Sequence, residues 1–208
     1  MKIPPSYSVT PEMVEIIAKI EAIRIYLVSL KLQKQLKEKI QRVSLLKSSL
    51  FSARIEGNTL DFEDLEQGKK LERKKKQEVF NIVRAAGFVD ARVKKGDLTK
   101  NILLELHARI MQNLTTDAGS LRQEVSAIFN QAGVAVYVPP PPSDIAQLLS
   151  DLLKYVNSNK EKFPLITAYV AHLIFEKIHP FLDGNGRVGR LLIAAVLKAK
   201  DWDFTFTV

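Results

Sequence analysis

Residues 165–200 read LITAYVAHLIFEKIHPFLDGNGRVGRLLIAAVLKAK. The first part, residues 165–178, is apolar almost all round, the composition of a helix buried on every side at the centre of a bundle. RLLIAAVLKAK, from Arg190 onward, reads as the next helix. Between them residues 179–190, HPFLDGNGRVGR, hold a titratable base, a carboxylate, three glycines, an amide and two guanidinium groups. The flanking helices decide the fold class, and the turn between them holds the chemistry.

Working outward, the rest of the chain also favours helices. Only 9 Gly and 9 Pro occur among 208 residues, and four of the prolines, Pro139 to Pro142, are consecutive. Thr10-Pro11-Glu12 is a helix start. Val14, Ile17, Ile20, Ile23 and Leu27 keep a helical period, which continues past Leu30 through Leu32, Leu36, Ile40, Val43 and Leu46 to a stop at Gly57-Asn58. Asp61 can cap a following helix that runs through Leu65 to Phe88, and Thr99 can cap one carrying Ile102, Leu103, Leu106, Ile110 and Leu114. Ser143 is placed to cap another, with Ile145, Leu148, Leu149, Leu152, Leu153 and Val156 on one face. Residues 119–143 break the pattern with glycines, β-branched residues and the proline run, and read as a short β-hairpin. The expected fold class is therefore mainly all-α, a helical bundle with one small hairpin.

Composition narrows the chemistry. A hydrophobic fraction of 46% is ample for a core. The absence of cysteine excludes disulfides, thiolate zinc sites and a Cys nucleophile. Residues 1–17, MKIPPSYSVTPEMVEII, have no uninterrupted apolar stretch of signal-peptide type, and no apolar run is long enough to span a bilayer. A cytoplasmic protein with no membrane partner is expected. The net charge of +8 fits nucleic acid, an anionic surface or an anionic small ligand equally well.

The turn itself favours the small anion. Gly184-Asn185-Gly186 feeds a helix N-terminus, where backbone N–H groups and the helix dipole attract negative charge and glycine permits close approach to a phosphate. Arg187 and Arg190 are three apart and are expected to project over the same anion, a di- or triphosphate. Asp183, beside bound phosphates, is the natural ligand for Mg²⁺. His179 is the candidate proton acceptor near neutral pH, so transfer of a phosphorus group to a hydroxyl is the chemistry the turn suggests. His107 and His172 read as bonded core histidines, and the clusters Lys34 to Lys39 and Lys69 to Lys76 as solvated faces.

HPFLDGNGRVGR resembles the signature of the Fic family, HPFx(D/E)GNGRxxR, at every specified position, and the likeness extends over residues 45–198. The resemblance implies a helical bundle with a hairpin flap, and transfer of AMP from ATP to a Ser, Thr or Tyr hydroxyl of a protein. It makes His179 the general base, Asp183 the Mg²⁺ ligand, the Gly184, Asn185 and Gly186 backbone the anion hole with Asn185 at the α-phosphate, and Arg187 and Arg190 the holders of the β- and γ-phosphates. Phosphorylating relatives carry Lys where Gly186 stands, and phosphocholine transferases Ala near Gly184, so this chain resembles the adenylylating branch.

Ser52-Ala53-Arg54-Ile55-Glu56-Gly57 resembles the family's inhibitory motif, (S/T)xxxE(G/N). It implies that Glu56 pairs with Arg190 and blocks the γ-phosphate position. Glu56 lies near a helix C-terminus, where the dipole does not favour a carboxylate, so a cationic partner is expected on physical grounds too. Val136 and Tyr137, in a stretch resembling the family flap, are expected to cover the target or nucleotide. The chain divides on this reading into a helical extension, 1–44, and a Fic domain, 45–208, with the inhibitory helix at about 45–57, the flap at about 130–140 and the catalytic loop at 179–190. Its expected partners are ATP and a protein with an exposed hydroxyl, with self-modification and homo-oligomerisation both open. Transfer of another nucleotide, de-AMPylation and, from a different class, a nucleic-acid-binding regulator are the alternatives; the last rests on net charge alone.

Overall fold

The computed structural model describes residues 1–66, 72–129, 132–158 and 160–202. Among these are eight helices and a two-stranded antiparallel hairpin: α1 (Pro11–Ser29), α2 (Lys34–Ile55), α3 (Phe62–Glu66), α4 (Arg73–Arg92), α5 (Lys100–Ile110), β1 (Ile128–Phe129), β2 (Ala135–Tyr137), α6 (Pro142–Asn157), α7 (Pro164–Ile178) and α8 (Asn185–Ala199). The mainly α-helical class is as expected.

α7 packs chiefly against α8 and α6, and α4 packs between α2 and α5 while also reaching α8. Phe175, Ile178, Phe181, Val188 and Leu192 are almost wholly buried where α7, the turn and α8 meet. The core thus closes directly beneath residues 179–184, which fixes the turn from below. α7 is not buried on every side, because Tyr169 and Leu173, four residues apart on one face, are exposed. An apolar sequence can face solvent on one stripe where no element remains to cover it.

Several ends follow local chemistry. Thr10 and Thr99 cap α1 and α5 by accepting from the Met13 and Ile102 N–H groups, and Asp61 caps α3 through the Asp64 N–H. Gly57, at φ +92°, ends α2: its N–H donates to the Arg54 carbonyl and that of Asn58 to the Ala53 carbonyl.

Three further expectations change. The helix does not continue past Leu30; Ser29 Oγ donates to the Tyr26 carbonyl at 2.7 Å, competing for a helical acceptor, and α2 starts afresh at Lys34. Ser143 is not a cap, because α6 begins at Pro142, where the missing N–H costs nothing, and Ser143 Oγ donates to Asp144. The helix expected from Leu65 to Phe88 is interrupted: α3 ends at Glu66 and α4 begins at Arg73. Residues 67–71 of that helix and of the Lys69 to Lys76 cluster lie outside the described residues.

The expected boundary between residues 44 and 45 falls inside α2. α1 has no buried residue. It is attached by half-buried Ile17 and Ile20 and by Trp202, whose indole N–H donates to Glu21 while Arg24 lies over its ring. No helix among the described residues is long and apolar enough to cross a membrane.

Candidate active site

The turn between α7 and α8 is a closed structure held by its own side chains. His179 is the C-cap of α7 in the left-handed region, φ 49° and ψ 60°, a conformation that a non-glycine residue keeps only when its surroundings hold it. Gly184 is the N-cap of α8 at φ +82°, and a Cβ there would lie 2.7 Å from Met111 Sδ, so glycine is required on both counts. Asn185, nearly fully buried, accepts from the Phe181 N–H at 3.0 Å and donates to the Phe181 carbonyl at 2.8 Å. Its amide therefore braces the turn; what it leaves for an anion is its backbone N–H.

Two buried residues outside the turn hold it from opposite sides. His107 stacks on Phe181, with rings 3.7 Å apart and parallel. Its Nδ1 accepts from the Gly119 N–H at 2.8 Å, which places the proton on Nε2, and Nε2 donates to the Asp183 carbonyl at 3.0 Å. His107 is the bonded core histidine expected, and burial lowers its pKa. Arg122, on the other side, donates from Nε to the His179 carbonyl at 2.8 Å.

His179 is half-buried, and its Nδ1 has no hydrogen-bond partner. Burial pushes its pKa below the ordinary value, with the nearby Arg122 charge acting in the same direction. The Glu176 carbonyl, facing the ring without hydrogen-bond geometry, and the Asp183 and Glu56 carboxylates oppose the shift. The net result is a neutral imidazole at pH 7, able to accept a proton.

The two arginines do not share one target. Arg187, 5% exposed, pairs with Glu78 of α4 at 2.6 Å and with Asp183 at 2.8 Å. Arg190 turns to the end of α2: Nε donates to Ser52 Oγ at 2.8 Å, and Nη2 to the Ser52 carbonyl at 3.0 Å and to Glu56 Oε1 at 2.7 Å. Spacing alone placed both over one anion, but carboxylates on two different helices draw them apart. Glu78 also accepts from the Asn58 side chain at 2.8 Å, which ties the end of α2 to Arg187. A Cβ on Gly186 would lie 2.5 Å from Glu56 Oε1 and 3.0 Å from Arg190 Nη1, so the Glu56–Arg190 pair lies directly over the glycine turn.

Asp183 Oδ1 is engaged by Arg187 and by the Gly184 N–H, while Oδ2 has no hydrogen bond among the described residues and the side chain is mostly exposed. No group of three or more His, Cys, Asp or Glu among the described residues could cage a metal. One free carboxylate oxygen beside an anion turn fits Mg²⁺, which keeps most of its waters and takes few protein ligands.

The hairpin pairs Ile128 with Tyr137 and Phe129 with Ala135. Val136 is exposed, whereas the Tyr137 hydroxyl donates to the Lys177 carbonyl at 2.9 Å. Val136 falls at the irregularity in the register, between the paired Ala135 and Tyr137 and without a partner of its own on β1, so regular alternation does not fix how the two side chains lie relative to one another. His172 differs from its expectation: Nδ1 lies 4.0 Å from Glu176 Oε1, and neither atom has a hydrogen-bond partner. His107, Arg122, Glu78 and Asn58 were not singled out as site residues from the sequence. Each is a lone residue, with no local pattern to mark it.

Comparison with known proteins bears on the family and the fold. Residues 97–197 match the model of the Fic/DOC family. A stretch of 108 residues is 37% identical to the protein adenylyltransferase Fic of Drosophila yakuba, and a stretch of the same length is 36% identical to that of Drosophila melanogaster. The match takes in 50% of this chain but 21% of either relative, so the chain spans about a fifth of their length. The crystal structure of a Fic family protein from Desulfovibrio desulfuricans G20 superposes with a TM-score of 0.76 at 27% identity, over 96% of this chain and 60% of that one. A Fic-1 segment from C. elegans shares the fold, with a TM-score of 0.74 at 22% identity over 93% of this chain and 59% of that one.

Proposed function

We propose that this chain, whose residues 97–197 match the model of the Fic/DOC family, transfers AMP from ATP to a Ser, Thr or Tyr hydroxyl of a protein and is held inactive by Glu56. The observation that carries this reading is the Glu56–Arg190 pair lying over the glycine turn that opens α8.

The N–H groups at the start of α8 receive the phosphate chain at the positive end of the helix. Neutral His179 takes the proton of the target hydroxyl as its oxygen bonds to the α-phosphorus, and the bond from that phosphorus to the bridging oxygen breaks. Pyrophosphate leaves with the electron pair. Mg²⁺, for which Asp183 is the ligand, supplies charge neutralisation on the phosphates when bound. Arg187, paired with both Glu78 and Asp183, orients Asp183 beside the turn.

Arg190 is the cation left to hold the γ-phosphate, and it does so only after parting from Glu56. The pair is about one-quarter to one-third exposed, so as a partly buried charge-assisted bond it is worth about 2 kcal/mol, or roughly thirtyfold in activity. Intact mass of the protein and of Glu56→Gly after incubation with ATP and Mg²⁺ tests this, with Glu56→Gly/His179→Ala as the blank. One AMP added to Glu56→Gly alone supports transfer, His179 dependence and inhibition together. A mass gain equal in wild type and Glu56→Gly ends the inhibitory role, and no AMP transfer to the protein itself or to lysate proteins ends the adenylylation reading.

A further inference from the structure

Arg122 is a buried guanidinium that the chemistry above does not require. It is 2% exposed, and no carboxylate bonds it among the described residues. Each of its three nitrogens bonds a backbone carbonyl: Nε that of His179 at 2.8 Å, Nη1 that of Glu124 at 2.8 Å, and Nη2 those of Pro140 at 2.5 Å and Ile178 at 3.5 Å. The Arg122 backbone N–H adds a bond to the Pro180 carbonyl at 3.0 Å.

These acceptors fall into two groups. Ile178, His179 and Pro180 are the end of α7 and the start of the catalytic turn, where helix carbonyls present the negative end of the dipole. Glu124 and Pro140 are the two feet of the hairpin, one just before β1 and one just after β2. A guanidinium is planar, with donors fixed in several directions, so one side chain bonds both groups at once. An ammonium is a single point and cannot span them. Taking the charge out of water opposes this placement, as the lowering of the Arg122 pKa by burial records. The carbonyls offset that cost only while both groups stay in place.

We propose that Arg122 is a positioning residue that locks the feet of the hairpin and the left-handed His179 turn into one rigid unit, so that whatever lies along the hairpin is held in register with the imidazole. The mechanical part stands on the geometry alone; the catalytic consequence rests on the adenylylation reading.

Arg122→Lys, which keeps charge and length, tests both. In amide hydrogen exchange, residues 124–129 and 132–140 and residues 178–181 are expected to exchange about tenfold faster together, while α2, α5 and α6 keep their protection. Loosening of one group alone, or of all helices equally, overturns the lock. In the Glu56→Gly background, Arg122→Lys is expected to lower the rate of AMP incorporation by about tenfold, with ATP affinity by calorimetry within about twofold of the parent. A parallel loss of ATP affinity, or no loss of rate, overturns the positioning role. If Glu56→Gly transfers AMP neither to itself nor to lysate proteins, the adenylylation reading fails, and the exchange result still decides the lock. Should Arg122→Lys not fold, nitrogen-15 spectra of the wild type decide it: the Arg122 Nε–H must exchange about a hundredfold more slowly than those of exposed Arg84 and Arg92. Equal rates overturn the proposal.

Discussion

The catalytic turn and the contact that covers it are held by different kinds of bond. Residues 178–185 are held by buried groups, with His107, Arg122 and Asn185 each bonding backbone atoms at both ends of a short reach. The contact over Arg190 is made by partly exposed Glu56 and by Ser52, reaching across from α2. Buried bonds to backbone fix a geometry, because breaking one leaves an unpaired polar group inside the protein. Partly exposed ion pairs exchange with water at modest cost, so a competing polyanion can replace them. On the proposed reading the turn is the part that stays and the cover the part that comes off.

The sharpest way to break that comparison is at the turn. His179→Ala in the Glu56→Gly background is expected to lower AMP incorporation by about a hundredfold or more, the size of a lost general base. Retention of most of the rate in quantitative mass spectrometry would move the proton acceptor elsewhere. Next in size is release of the cover: Glu56→Gly should raise incorporation by roughly thirtyfold in a timed assay. A smaller change removes one bond of the cover while leaving its charge. Ser52→Ala deletes the 2.8 Å bond to Arg190 Nε and is expected to activate by about fivefold, since the Ser52 carbonyl and Glu56 remain. An effect as large as that of Glu56→Gly would make the hydroxyl, not the ion pair, the principal restraint.

The smallest expected effect is a displacement along the pH axis. On the proposed mechanism neutral His179 is the active form, and burial lowers its pKa. As pH falls, the rate of Glu56→Gly should therefore hold until below the ordinary imidazole value of 6.5 and only then decline. Deleting Glu56 reinforces that direction, because its carboxylate is one of the groups opposing the shift. An acid limb centred above 6.5 would contradict a buried, neutral base.

Local chemistry explains which features were legible in the sequence. Thr10, Asp61, Thr99 and Gly57 act on backbone groups within a few residues of themselves, so their roles can be read from their neighbours. The glycines and charges of residues 179–190 are equally local, and the place of Glu56 near a helix C-terminus called for a cationic partner, the position Arg190 occupies. Arg122, His107 and Glu78 act on residues 57, 76 and 109 positions away, so nothing beside them marks the role. The separation of Arg187 from Arg190 was hidden for the same reason: it depends on Glu78 and Glu56, brought in by α4 and α2. Ser143 shows the converse error, in which a good capping residue loses its place to a proline that starts the helix one residue earlier.

The attachment of α1 has a consequence for the order of assembly. Its side-chain clamp, Trp202 on Glu21, joins residues 181 positions apart. The entropy of closing so long a loop is recovered only after the intervening helices have packed. α1 is thus synthesised well before the residue that clamps it, and on the ribosome this contact waits until the 181 positions between Glu21 and Trp202 have emerged.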